Sequence, residues 1–179
     1  MTDHYTEPMA ALDDSHFLCR SCGEHHTQIL CLGPDAPALV DRLPAEARST
    51  RVKLGEELCV VDEEHFFIRG RIVVPIVDHP DPFIWLVWVS LSASNFDRTL
   101  ELWERPGRES ESPYFGWLSS DLPGFSPGTL SLKTHVHTQP VGQRPEIELE
   151  PTDHPLAVAQ RQGVSLAQVQ AWVEHALHA

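Results

Sequence analysis

The segment from Phe83 to Leu91, Phe-Ile-Trp-Leu-Val-Trp-Val-Ser-Leu, constrains the fold of this chain more than any other. Eight of its nine residues are apolar, and many are β-branched or aromatic, which favours a strand. Such a strand projects apolar side chains from both faces, so both faces must be covered by other parts of the protein. We therefore predict that residues 83–91 form the central strand of a sheet.

The segments on either side of this strand predict its neighbours. Residues 66–77 predict a long strand with one apolar face and with Arg69 and Arg71 on the other face. The Pro-rich turn at 78–82 indicates that this strand runs antiparallel to the central one. After Leu91 the apolar spacing becomes helical, which predicts a helix over 96–103. Ser94 has the position of its N-cap. These patterns favour a meander covered by a helix.

Two further alternating segments, 129–138 and 146–150, are separated by a turn at Pro140-Val141-Gly142-Gln143. If they pair as a hairpin, one register brings His137 near Glu146 and His135 near Glu148. Two histidines and two carboxylates on one polar face can hold a metal ion. The alternative is a solvated outer face with cross-strand charge pairs, which is the commoner arrangement.

The last part of the chain predicts two helices. Thr152 or Asp153 can cap a short helix that ends before Gly163, and His154 is either a general base or a partly buried side chain. Ser165 has the position of a capping residue for the final helix. The residues predicted to form the buried stripe of that helix are Leu166, Val169, Trp172, Val173 and Leu177.

Composition limits the class of protein. The 179 residues suit one domain, and 13 basic against 26 acidic residues give a net charge of −13, which repels phosphate backbones and argues against nucleic-acid binding. No apolar run approaches the roughly 20 residues that cross a bilayer, and no signal peptide is visible, so we expect a cytoplasmic protein. We expect residues 1–15 to be a flexible N-terminal extension and residues 16–179 to be a single domain.

The clearest chemical signal is the sequence Cys19-Arg20-Ser21-Cys22-Gly23, which is followed by two histidines. Two thiolates at this spacing supply half of a tetrahedral zinc site, and a glycine after the second permits the positive φ of a tight turn. The ligand set that we predict for structural zinc is Cys19, Cys22, His25 and Cys59, with Cys31 or His26 as substitutes. A metal-free turn with ordinary buried thiols and a redox pair are the alternatives.

Taken in order, several short motifs of the chain resemble those of the DUF2199 family, a prokaryotic family of unknown function. The motifs are Cys19-x-x-Cys22-Gly23 with His25/His26, Leu58-Cys59-Val60-Val61-Asp62, Phe67-Ile68-Arg69-Gly70, Val87-Trp88-Val89-Ser90-Leu91-Ser92, Tyr114-Phe115-Gly116-Trp117-Leu118, Arg144-Pro145 and Asp153-His154-Pro155. The resemblance extends from Phe17 to about Val173. It implies no activity, but it favours Cys59 over Cys31 as the third thiol.

The sequence therefore predicts an α+β domain, mainly an antiparallel sheet with packed helices and an N-terminal Cys-x-x-Cys element that resembles a zinc knuckle. We expect a non-catalytic binding module with an unknown protein partner, contacted through Trp117, Tyr114 and the adjacent loop. One alternative is a metal-dependent hydrolase that uses His135, His137 and Glu148. Another is an immunity or inhibitor protein, which the acidic charge alone suggests.

Overall fold

The structure is a computed structural model that describes residues 16–178, so the predicted extension at 1–15 lies outside the described residues. The strands of this part are β1 His16–Leu18, β2 His25–Thr27, β3 Cys31–Leu32, β4 Val52–Leu54, β5 Leu58–Val61, β6 His65–Val74, β7 Phe83–Leu91, β8 Tyr114–Leu118, β9 Lys133–His137 and β10 Glu146–Leu149. The α-helices are α1 Ala38–Asp41, α2 Ala45–Arg51, α3 Ala93–Glu101, α4 Pro155–Gln162 and α5 Leu166–Leu177.

Strand β7 has the predicted bounds and lies at the centre of the fold. It pairs antiparallel with β6 along its whole length, from Phe66 opposite Leu91 to Val74 opposite Phe83. Strand β6 ends at Val74 and not at residue 77, because the next residue is a proline, which has no N–H for the ladder. As the composition of β7 requires, none of its residues is exposed.

The sequence predicted a mainly antiparallel sheet with packed helices, whereas in the structure five strands close into a barrel. Their order is β6-β7-β8-β9-β10, and β10 pairs back onto β6. This last pairing is parallel and brings Glu146 opposite Arg71, whereas the other pairings of the barrel are antiparallel. Strand β6 can accept β10 because β5 occupies the same edge only as far as Ile68.

A glycine makes the close approach at this seam possible. A Cβ atom on Gly70 would lie 2.6 Å from two carbons of the Ile147 side chain and 3.0 Å from the carbonyl oxygen of Pro145. Ile147 is 1% exposed, so its side chain fills space inside the barrel that a side chain on residue 70 would otherwise take. The closed barrel therefore depends on residue 70 having no side chain.

The helices cover the barrel and close its core. Ser165 caps α5 as predicted, by accepting a hydrogen bond from the Gln168 N–H, and the Trp172 ring packs against Phe83 and Trp85 with centroids 5.6 Å from each. Helix α3 begins earlier than predicted, because Ser92 rather than Ser94 caps it. The protein is thus a single α+β domain, with a second apolar cluster around Trp88 between the barrel and α1. No helix within residues 16–178 is long and apolar enough to cross a bilayer.

Replacing Gly70 with Ala is expected to lower the free energy of unfolding by about 1–3 kcal/mol, because the new methyl group overpacks the Ile147 side chain. Gly55→Ala is the matched control, since its added Cβ would meet nothing closer than the Leu58 carbonyl oxygen at 3.5 Å. Urea unfolding of both variants measures the difference. Equal stability of the two variants would contradict the close packing at the seam.

Candidate metal centre

The Cys-x-x-Cys sequence forms the turn that joins β1 to β2, which pair antiparallel. The Gly23 N–H donates to the Cys19 carbonyl at 2.9 Å, and the Cys19 N–H donates to the Glu24 carbonyl at 2.8 Å. Gly23 has a φ of +76°, the conformation for which the sequence predicted a glycine here. The turn holds the Cys19 and Cys22 side chains on one side of the hairpin, close to one another.

Two histidines complete the group, and we call these four residues the Cys19 cluster: Cys19, Cys22, His26 and His178. The Cys19 Sγ lies 3.2 Å from His178 Nε2, and the Cys22 Sγ lies 3.2 Å from His26 Nε2. All four ligand atoms lie within 4.8 Å of one another. Zinc bonds of about 2.0–2.3 Å place tetrahedral ligand atoms roughly 3.5 Å apart, so the four side chains are close enough to bind one ion.

Contacts between the hairpin and α5 bring His178 to this position. Phe17 of β1 is buried in the main core, and the Arg20 N–H donates to Glu174 Oε1 of α5 at 2.7 Å. A side-chain hydrogen bond of 3.2 Å joins Gln170 of α5 to Gln28. Because the hairpin packs along the last turns of α5, the residue that ends this helix reaches the two cysteines.

The cluster favours one thiolate at neutral pH. Burial opposes ionisation of the Cys19 thiol, but hydrogen bonds from the Cys22 and Ser21 backbone, the Cys22 thiol and the His178 ring lower its pKa to about 6. The Glu24 backbone favours ionisation of Cys22, but desolvation and the adjacent Cys19 raise the pKa of Cys22. An ionised thiol is the form that binds a metal ion.

Two residues of the predicted ligand set lie outside the cluster. His25 precedes His26 on β2, where side chains alternate in direction, so the substitute ligand His26 lies with the cysteines and His25 does not. Cys59 is fully buried on β5, in the apolar cluster with Val61 and Trp88. Burial raises the pKa of this thiol to about 11. The other substitute, Cys31, is an exposed residue of β3 outside the cluster.

Sequence reasoning missed His178 because it is separated from Cys19 by 159 positions. It ends the last helix, and nothing in the local pattern distinguishes it from the other exposed histidines of the chain. Only an indirect feature of the sequence indicates His178. Apolar residues of the predicted α5 and Phe17 belong to the same core, and this packing brings the end of the helix close to the two cysteines.

The two histidines of β9 lie outside the Cys19 cluster and form no comparable group among residues 16–178. The predicted register was confirmed, with His137 opposite Glu146 and His135 opposite Glu148. His137 Nε2 nevertheless contacts Glu148 at 2.7 Å, and His135 Nε2 lies 4.0 Å from Glu150, all on a partly exposed outer face. Among residues 16–178, the Cys19 cluster is the one group of three or more such side chains whose ligand atoms lie this close.

Both ring nitrogens of His154 are hydrogen-bonded to backbone groups. It caps α4 itself, in place of the predicted Thr152 or Asp153, because its Nδ1 accepts from the Leu156 N–H at 3.1 Å. Its Nε2 lies 3.0 Å from the Pro127 carbonyl oxygen and donates to it. With one nitrogen accepting and the other donating, the neutral ring has both hydrogen-bonding positions satisfied.

The aromatic residues predicted to contact a partner separate into two locations. Trp117 is 43% exposed and packs edge-on against Phe115, with ring centroids 5.1 Å apart. Tyr114 turns inward, and its hydroxyl donates to Glu111 at 3.1 Å. Burial and the Glu111 carboxylate raise the pKa of Tyr114 to about 12. The exposed Phe115 and Trp117 rings are therefore the part of this segment that is open to solvent.

A barrel of five strands with a Cys/His cluster at its N-terminal hairpin defines a small α+β domain with a candidate metal centre. The model of a family described as "uncharacterized protein conserved in bacteria", DUF2199, matches residues 18–164. The chain belongs to this family. The matched range includes Cys19, Cys22 and His26 but not His178. No curated protein and no solved structure matches the chain.

Replacing Cys59 with Ser is expected to lower the free energy of unfolding by about 1–3 kcal/mol, because a hydroxyl would enter an apolar cluster. The metal content of the purified protein is expected to stay unchanged, since Cys59 lies outside the Cys19 cluster. Chemical unfolding and elemental analysis measure the two effects. If the variant folds but contains no metal, Cys59 is a metal ligand and the prediction is wrong.

In metal-free protein the pKa of Cys19 is about 6. Its thiolate absorbance is therefore expected to appear at a pH well below about 8.5, the usual pKa of a thiol. A lowered pKa means that this thiolate stabilises the fold fully above about pH 8.5, and the stabilisation is lost as the pH falls toward about 6. Ultraviolet titration of the wild type and of Cys19→Ser isolates the signal, and Cys31→Ser is the control. A titration midpoint near 8.5 for Cys19 would contradict the prediction.

Proposed function

We propose that this protein is a non-catalytic binding module, in which one structural Zn²⁺ ion bound by Cys19, Cys22, His26 and His178 fastens the N-terminal hairpin to α5. The observation that carries this proposal is the convergence of the four ligand atoms within 4.8 Å. Two thiolates and two imidazoles are a donor set that zinc prefers, and zinc binds such sets tetrahedrally.

The position of the cluster supports a structural role for the ion. β1 and β2 have three residues each and form a two-stranded sheet of their own, which is marginal in stability without further support. An ion shared by this hairpin and the end of α5 would join residues that are separated by 159 positions. Closing so long a loop restricts the unfolded chain, and the free energy of metal binding adds to that of folding.

The surroundings of the cluster support a non-catalytic assignment. Four protein ligands complete the coordination of zinc, whereas catalytic zinc sites keep one position for water or substrate. A cavity of about 660 Å³ beside the barrel is lined by none of the four residues. Of the other histidines proposed for chemistry, His137 contacts Glu148 at 2.7 Å, His135 lies 4.0 Å from Glu150, and His154 is hydrogen-bonded to backbone groups.

Elemental analysis of the purified protein tests the proposal, and about one zinc ion per chain is expected. Two matched pairs of variants locate the ion. Cys22→Ser should release zinc and Cys31→Ser should retain it, since both residues are exposed but only Cys22 belongs to the cluster. His26→Gln should release zinc and His25→Gln should retain it, although the two histidines are adjacent on β2.

Removing zinc with a chelator should lower the free energy of unfolding by about 3–4 kcal/mol, if free zinc was a hundred- to a thousandfold above Kd. Less than about a tenth of an equivalent of zinc in protein purified without chelator would overturn the zinc assignment. A Cys19–Cys22 disulfide in that metal-free protein would indicate redox chemistry in its place.

A further inference from the structure

A cavity of about 660 Å³ lies beside the barrel, within the range of sites that hold small organic molecules. Barrel strands, α3 and the segment 139–145 contribute to its wall. Much of the wall is apolar, through Ile68, Leu86, Leu102, Trp103 and Val136. An apolar wall of this kind suits a ligand that has a hydrocarbon or aromatic body.

The same wall contains three arginines, although the chain has a net charge of −13 and only 13 basic residues. Arg144 is compensated, because its Nε and Nη2 donate to both carboxylate oxygens of Glu57 at 2.6–3.0 Å. The Glu57 carboxylate raises the pKa of Arg144. The other two arginines are compensated less completely.

Arg108 is buried, at 7% exposure, and has no carboxylate partner among the ion pairs of the described residues. Its guanidinium donates to four backbone carbonyl oxygens, those of Trp103, Gln139, Pro140 and Gln143, at 2.7–3.2 Å. Carbonyl groups satisfy N–H donors but carry no net charge. No carboxylate of the described residues therefore pairs directly with Arg108, although Glu104 also lines the cavity.

Arg71 supplies a donor that lacks an acceptor. Its Nη2 donates to Glu146 Oε1 at 2.8 Å, where the barrel closes. Its Nε is buried and has no hydrogen-bond partner among residues 16–178. Arg71 Nη1 also donates to no acceptor among these residues, and 35% of the side chain is exposed, so a ligand in the cavity can accept from this part of the guanidinium.

We propose that the cavity binds a small organic carboxylate with an apolar body, whose carboxylate accepts from Arg71 and compensates the charge of Arg108. An inorganic anion would leave the apolar wall uncovered, and an uncharged hydrocarbon would leave the arginine donors unpartnered. This inference gives a ligand class to the proposed binding module. It depends on that role but not on the zinc ion, because the cavity and the Cys19 cluster share no residue.

Isothermal titration of the full chain with two probes, decanoate and 2-naphthoate, tests the proposal. At least one is expected to bind with a Kd of about 100 μM or below, and decanol or 2-naphthamide is expected to bind at least about tenfold more weakly. Arg71→Gln removes the charge but keeps an amide donor near Glu146, and should weaken carboxylate binding roughly tenfold or more.

Arg69→Gln is the matched control. Arg69 lies two residues away on the same face of β6, and its Nε is also buried without a partner, but it packs on Trp88 and does not line the cavity. This variant should bind the carboxylate within about twofold of the wild type. Circular dichroism and urea unfolding of both variants confirm that a loss of binding does not come from a loss of fold.

Three results would overturn the proposal: no binding of either carboxylate, equal binding of the uncharged analogue, or equal binding by Arg71→Gln and the wild type. The zinc assignment is tested separately by repeating the titration with Cys22→Ser. If Cys22→Ser loses zinc but still binds the carboxylate, the carboxylate proposal holds independently of the metal ion. If the wild type contains zinc but binds neither carboxylate, only the zinc proposal holds.

Discussion

The parallel pairing of β10 with β6 is the interaction on which the rest of the structure depends. It brings Glu146 opposite Arg71, and the Arg71 N–H donates to the Pro145 carbonyl oxygen at 3.0 Å. Without it the five strands would form an open sheet, with the interior side chains of β6 and β10 exposed along an edge. Closure removes that edge and buries Ile147 against Gly70. It also fixes the 139–145 segment beside α3, where the cavity lies.

The two candidate sites use different physical means. The Cys19 cluster gathers soft donors at a point where two weakly held elements meet, so its free energy would go into fastening β1 and β2 to α5. The cavity lies against the rigid barrel and presents arginines whose charge or donors are incompletely satisfied. One site is suited to holding the fold together and the other to recognising a ligand.

Sequence patterns predicted the features that depend on local spacing. The bounds of β7, the register of β9 on β10 and the Ser165 cap follow from alternation, a turn and a capping residue, each within a few positions. The features that were missed depend on contacts between distant segments. Barrel closure rests on one parallel residue pair, which no alternation pattern specifies. His178 lies beside the cysteines only because α5 packs against the hairpin. In a sequence, an isolated cysteine such as Cys59 is equally consistent with a metal ligand and with a buried core residue.

Arg71 belongs both to the seam that closes the barrel and to the wall of the cavity. A substitution of Arg71 would change both the closure of the barrel and the charge of the cavity wall. This position can therefore vary little without a loss of stability. Leu102 and Val141 line the same cavity but take no part in the strand pairing of the seam. Diversification of ligand preference, whether in evolution or by design, is therefore confined to the α3 and 139–145 side of the cavity. On the barrel side Arg71 fixes one positive charge of the wall, and Arg108 and Arg144 contribute theirs from the opposite side.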